Sequence, residues 1–286
     1  MRLRAEAALL AVTMVWGGTF LAVQFAMGLS GPLFFVGLRF AIAATIAFVV
    51  AGRSLARITR GEIIAGCAIG VAICAGYTLQ SEGLKHVLSS ESAFITALYV
   101  PIVPMLQWIV LRRPPGLTTW LAVGLAFFGM TLIGSRGTGL ENLGRGEFMT
   151  LLSAFVFAAE ILLIGYFAPK VNARRVTAVQ LAVTSFLAFA LIPVFGESLP
   201  ADLPWPLLAI AAALGLASSI IQLTMNWAQK IVSPARATII YATEPVWAGL
   251  IGLAAGERLG LMGWIGGALV IAGVLVSEIR RGKSDD

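Results

Sequence analysis

The chain has 286 residues, of which 59% are hydrophobic and only 12% charged, with a mean hydropathy of +0.92. Soluble domains are about a quarter charged, and no soluble fold of this length has enough interior to hide so much apolar surface, which leaves lipid as the solvent. A net charge of +6 in a soluble protein would suggest nucleic acid; in a membrane chain it places basic residues in cytoplasmic loops, and no nucleic-acid partner is expected.

A hydrocarbon core of about 30 Å calls for spans of about 20 apolar residues. Ten are predicted, at 7–28, 32–51, 62–82, 91–111, 117–135, 147–167, 176–195, 205–228, 234–254 and 260–279. Arg2 and Arg4 ahead of an apolar run resemble a signal peptide. The run from Ala7 to Met27 exceeds the ~7–15 residues of such a segment and is read as the first transmembrane helix. Turn residues and charges punctuate the rest, among them Ser30-Gly31-Pro32, Arg53 to Arg60, Lys85-His86, Arg112 to Gly116, and the long stretch from Gly137 to Gly146. Cys67 and Cys74 lie about 10 Å apart along one helix, too far to bridge each other.

One stretch occurs twice. Ser89 to Gly129 aligns without a gap on Ser233 to Gly273, matching Ser89 with Ser233, Pro101 with Pro245, Trp120 with Trp264 and Gly129 with Gly273. Each copy reads as an apolar helix kinked by proline, a short break, and a second apolar helix. Such a repeat sets the architecture: a first five-helix repeat over 1–136, a second over 147–280, and a short cytoplasmic tail, 281–286. With the N-terminus inside, roughly fifteen of the 20 basic residues fall on cytoplasmic segments, so both termini are expected in the cytoplasm. Five is odd, so the second repeat threads the membrane in the opposite sense. The expected fold is all-α and integral to the membrane: ten transmembrane helices as two inverted repeats around a central cavity, with a substrate site near the midplane exposed to each side in turn.

Trp16-Gly17-Gly18-Thr19-Phe20 in the first span, Arg39 in the second, Glu244-Pro245 in the ninth and Gly256-Glu257 before the tenth together resemble the EamA-type members of the drug/metabolite transporter superfamily. Val100-Pro101 departs from the pattern where the second half has Glu244-Pro245. The resemblance implies a secondary transporter of the inner membrane that exports metabolites such as amino acids, with the fifth and tenth helices peripheral. The aromatic complement points toward the YddG-like amino acid exporters. Nucleosides, sugar-like molecules and cationic compounds are the alternative cargoes.

Three ionisable residues fall inside spans: Arg39, Glu160 and Glu244. A charge at mid-membrane costs about 2.5–3.5 kcal/mol even on the lenient scale, so it faces the interior, pairs or binds something. Glu244 reads either as a proton or substrate-amine site or as a carboxylate pinning its helix. Pro245 strips the Tyr241 carbonyl of its helical donor beside it. Arg39 could hold a substrate carboxylate bidentately or pair permanently with Glu244 or Glu160; the permanent pair is the favoured expectation. Trp16, Tyr77, Gln80, Tyr99, Gln222, Tyr241 and Trp247 supply apolar faces with polar tips suited to an amphipathic metabolite. Trp108, Trp205 and Trp120 fit an interfacial belt instead. Pro101, Pro104 and Pro245 are candidate hinges with freed carbonyls. The GxxxG pairs Gly66/Gly70, Gly252/Gly256 and Gly263/Gly267 read as close helix packing within the bundle, and a monomer is expected.

His86 is the only histidine and has no metal-ligand neighbours in sequence, so no metal is expected. Gly282-Lys283-Ser284 lacks the glycine a phosphate loop needs five positions earlier, where Ser277 stands; ATP, or any other cofactor, is not expected. Neither a nucleophile–histidine–acid set nor metal-spaced carboxylates occurs at membrane depth, and an intramembrane enzyme is the disfavoured competitor. Protons are the candidate coupling ion.

Overall fold

The computed structural model describes residues 2–111, 144–200, 202–258 and 260–278, with 120–121, 124–125, 128–129 and 132 between them. Most of the predicted fifth span, its flanking arginines and the tail at 281–286 lie outside the described residues. Eleven helices carry the rest: α1 (Arg2–Met27), α2 (Pro32–Ala51), α3 (Arg60–Gly83), α4 (Ser89–Thr96), α5 (Tyr99–Leu111), α6 (Arg145–Phe167), α7 (Ala173–Phe195), α8 (Trp205–Ala228), α9 (Pro234–Tyr241), α10 (Glu244–Ala254) and α11 (Leu261–Glu278). Among the described residues there is no strand, and eight segments are long and apolar enough to cross a bilayer. The molecule is a multi-pass membrane protein. Large apolar side chains such as Val49, Ile64, Phe186 and Val194 stand on its outside, where lipid rather than water must meet them.

The predicted spans 91–111 and 234–254 are each two helices rather than one kinked helix. Thr96 ends α4 and Tyr99 begins α5; Tyr241 ends α9 and Glu244 begins α10. Pro101 cannot donate to Ala97, nor Pro245 to Tyr241, so the break falls one turn before each proline. The tight bonds Val100 N to Ala97 O (3.0 Å) and Val246 N to Thr243 O (3.1 Å) take up the slack. Pro101 and Pro245 therefore open a second helix, while Pro104 lies inside α5.

Helix starts are written locally where the residues allow it. Thr59 and Glu62 form a capping box on α3, Asn172 caps α7 and Ser233 caps α9, each satisfying N–H groups that have no intrahelical partner. Two other starts are capped from a distance. Gly196, at φ 64°, ends α7 in the left-handed conformation that glycine adopts without strain, and Gly256, at φ 92°, does the same after α10. The residue after each is a glutamate. Glu197 accepts from the backbone of Leu33 (2.9 Å) and Phe34 (2.8 Å) at the start of α2. Glu257 accepts from the backbone N–H (3.1 and 3.2 Å) and the hydroxyl (2.6 and 2.6 Å) of Ser89 and Ser90 at the start of α4.

Contacts at the helix ends assort into two sets. In one lie these two carboxylate clamps and Arg145 on Glu82 (2.7 Å). In the other lie Arg175 on the buried Glu62 (2.6 Å), Lys230 on the Val171 carbonyl (2.7 Å), and Arg236 on Glu6. The two sets are the two ends of the alternating spans. Within the bundle, α1 packs on α8 and α10, α6 packs on α3 and α5, and α2 lies along α7. Gly66 and Gly70 allow a close approach of α3 to α7: a Cβ at Gly66 would meet Val179 at 2.5 Å, and one at Gly70 the Gln180 carbonyl at 2.6 Å. These glycines serve internal packing, as expected.

Candidate functional site

A small central cavity lies between the two halves. It is lined by Trp16 and Thr19 of α1, Tyr77 and Gln80 of α3, Thr96 of α4, Tyr99 of α5, Phe157, Glu160 and Ile161 of α6, Met225 of α8 and Glu244 of α10. Its volume is ≈ 20 Å³, space for about one water. The breaks after Thr96 and Tyr241 bring two helix ends and two helix starts to this depth. Tyr99 and Glu244, the first residues of α5 and α10, meet there: the Tyr99 hydroxyl donates to Glu244 Oε2 at 3.0 Å.

Each polar tip in the cavity has a partner. Trp16 Nε1 donates to the Tyr77 hydroxyl (3.1 Å), and Gln80 Nε2 to Thr96 Oγ1 (3.2 Å). Glu160 Oε1 accepts from Gln222 Nε2 (2.8 Å), whose own oxygen accepts from Gln180 (2.8 Å). Asn226 extends this network to Thr177 (3.1 Å) and Gln180 (3.0 Å). Buried polar groups are costly unless bonded, so the chain of amides holds Glu160 in one orientation. The aromatic rings interlock edge to face: Tyr77 with Phe40 (5.0 Å) and Phe157 (5.2 Å), and Trp16 with Tyr241 (5.5 Å). This geometry favours aromatic pairs.

The candidates therefore divide. Trp16, Tyr77, Gln80, Tyr99, Glu160 and Glu244 line the cavity together. Gln222 and Tyr241 stand behind it, fully buried, Gln222 on Glu160 and Tyr241 accepting from Gln229 Nε2 (3.3 Å). Trp247 packs instead on α1, where Gly17 makes room; a Cβ there would meet Trp247 Cβ at 2.6 Å. Its Nε1 is buried without a hydrogen-bond partner among the described residues. Arg39 overturns the expected ion pair: among the described residues no carboxylate lies within salt-bridge distance. Its Nε donates to Ser218 Oγ at 2.8 Å, and its guanidinium carbon sits 4.8 Å from the centre of the Tyr77 ring. The physical reason is direction: α2 turns Arg39 toward α8 and the back of Tyr77, while Glu160 and Glu244 take neutral donors from their own neighbours.

Thr19, Thr96, Phe157, Ile161 and Met225 complete the lining and were not singled out by sequence. Helical spacing would have found three of them, since Thr19, Phe157 and Met225 lie three positions from Trp16, Glu160 and Gln222 on the same helix faces. Among the described residues no three His, Cys, Asp or Glu side chains group as metal ligands.

The comparisons with known proteins give this multi-pass helical bundle its class, a membrane transporter. The family model of the EamA-like transporter family matches residues 3–135 and again 144–278, and the chain belongs to that family, within the drug/metabolite transporter superfamily. It is 26% identical over 280 residues to an uncharacterized transporter of Archaeoglobus fulgidus, covering 98% of this chain and 87% of the relative. A protein of known crystal structure shares the fold, with a TM-score of 0.72 at 18% identity over 99% of this chain and all of the other.

Proposed function

We propose that the protein is a secondary transporter that exports small amphipathic metabolites, amino acids with apolar or aromatic side chains foremost, by alternating access across the inner membrane, with both termini in the cytoplasm. The reading rests on ten spans in two inverted repeats. The exchange of packing partners supports it: α1 on α8 and α10 repeats as α6 on α3 and α5, and α2 on α7 is its own counterpart. Opposite threading of the halves makes such an exchange natural, and rocking of one half against the other would then expose the central site to each side.

The observation that carries the reading is the convergence of Glu160, Glu244 and four aromatic side chains on one small space between the halves. Carboxylates receive an ammonium group, and aromatic faces receive both the cation and an apolar side chain. The same carboxylates can exchange protons for cargo, which makes proton antiport the coupling we infer. The cavity at ≈ 20 Å³ is far below the ~300 Å³ of small-molecule pockets, so cargo enters only after the halves part. An intramembrane enzyme is disfavoured by the family.

Purified protein in liposomes, presented with labelled amino acids, nucleosides, sugars and organic cations, is expected to give saturable flux of apolar amino acids that a pH gradient drives uphill. No saturable flux of any of these ends the transport reading. Flux confined to another class replaces the cargo and keeps the mechanism.

A further inference from the structure

Among the described residues Arg39 is the largest side chain with almost no exposure, at 1%. It has one neutral oxygen partner, Ser218, whose hydroxyl is itself committed as donor to the Leu214 carbonyl (2.7 Å). Among the described residues its Nη2 is buried with no hydrogen-bond partner, and no carboxylate neutralises it. A guanidinium is always charged and offers a planar fork matched to a carboxylate, so this one is an anion site without an anion. Its face lies against two rings, Phe40 at 5.4 Å and Tyr77 at 4.8 Å. Of these, Tyr77 also lines the central cavity. The cavity as it stands has carboxylates and no cation in its wall.

We infer that Arg39 is a concealed carboxylate-binding subsite of the central cavity, that Tyr77 is its cover, and that the two together select zwitterionic cargo over simple amines. The inference rests on the transport reading above and gives that site its second pole. Glu160 and Glu244 face the ammonium; Arg39 takes the carboxylate once the Tyr77 ring moves. The cover is held from both halves. Phe40 and Trp16 share the first half with Tyr77, whereas Phe157 comes from the second. Parting the halves removes Phe157 and leaves Tyr77 free to turn about its remaining contacts. A cavity that shows its cation only when open would keep the guanidinium away from its own glutamates between cycles, which agrees with the absence, among the described residues, of an Arg39 ion pair.

The test compares phenylalanine with its decarboxylated amine, phenethylamine, in proteoliposome counterflow. The wild-type protein is expected to prefer phenylalanine by about tenfold or more, the discrimination a charge-assisted pair supplies. Arg39→Gln is expected to bring the preference to near parity while phenethylamine flux persists, and Arg39→Lys to fall between. Tyr77→Ala keeps the guanidinium and removes its cover, so phenylacetate is expected to inhibit phenylalanine uptake more strongly than in the wild type; this variant decides the matter if Arg39→Gln does not fold. Equal use of amine and amino acid by the wild type, an intact preference in Arg39→Gln, or unchanged phenylacetate inhibition in Tyr77→Ala each overturns the subsite while leaving transport standing. Absence of flux for both probes and for the wider panel overturns transport itself, and the subsite with it.

Discussion

The two halves share a register but not a chemistry. The alignment that sets Ser89 on Ser233 also sets Val100 on Glu244 and Tyr99 on Thr243. The first half gives the cavity its indole, its two phenols and the guanidinium behind them; the second gives both carboxylates. Scaffold features are held in common: each half breaks its fourth span one turn before a proline, and each packs its first helix on the other's third. Duplication thus supplies a symmetric frame, and divergence at a few inward positions makes the space inside it polar in one direction.

The largest expected effect breaks that polarity. Glu244→Gln removes the carboxylate that has no counterpart in the first half, and pH-gradient-driven accumulation is expected to fall by at least about tenfold, while downhill exchange continues. Unchanged accumulation would separate Glu244 from coupling. Glu160→Gln removes the other carboxylate but leaves the amide network a partner, and is expected to reduce accumulation less; both are read in the same proteoliposomes.

The shared frame is tested by filling it. Gly17→Leu and Gly70→Leu insert side chains where a Cβ already meets Trp247 at 2.6 Å and the Gln180 carbonyl at 2.6 Å. Overpacking costs about 1–3 kcal/mol, so both are expected to lower the melting temperature in detergent. Gly61→Ala, whose nearest neighbour is 4.0 Å away, is expected to leave it unchanged. Caps come next in size. Glu257→Ala uncaps α4 from across the molecule and strips four donors of their acceptor, at about 1–3 kcal/mol. Ser233→Ala removes the local cap of the matching helix α9, at about 1 kcal/mol; equal losses would argue against the difference between distant and local capping. Smallest of all, Arg236→Ala breaks an exposed ion pair with Glu6, and no change in melting temperature is expected, because such pairs are screened by solvent and salt.

Most of the frame was legible because lipid imposes a simple rule: apolar length and basic punctuation mark the spans. The helix breaks were not placed by that rule. Proline advertises itself at Pro101 and Pro245, but its missing donor acts four residues earlier, so the chain yields at Ala97–Leu98 and Ala242–Thr243. Six of the ten binding candidates line one cavity because ionisable and amphipathic residues inside a span have few other places to go. The remainder turned on long-range direction. Nothing near Arg39 in sequence says that it faces Ser218 rather than a glutamate, and nothing near Gly256-Glu257 says that its carboxylate closes the start of α4.

The two glycine–glutamate turns have a consequence for how the protein is made. Glu197 and Glu257 are translated after the helices they cap, α2 and α4, and belong to the later half. While the first half is being inserted, the opening turns of α2 and α4 have donors that must be met by water or by the insertion machinery. They acquire their permanent acceptors only once Glu197 and Glu257 of the second half have been made. Sealing of these two helix starts therefore waits on the second half, and truncation ahead of Glu197 or Glu257 would leave an earlier, already inserted segment with its amide groups unsealed.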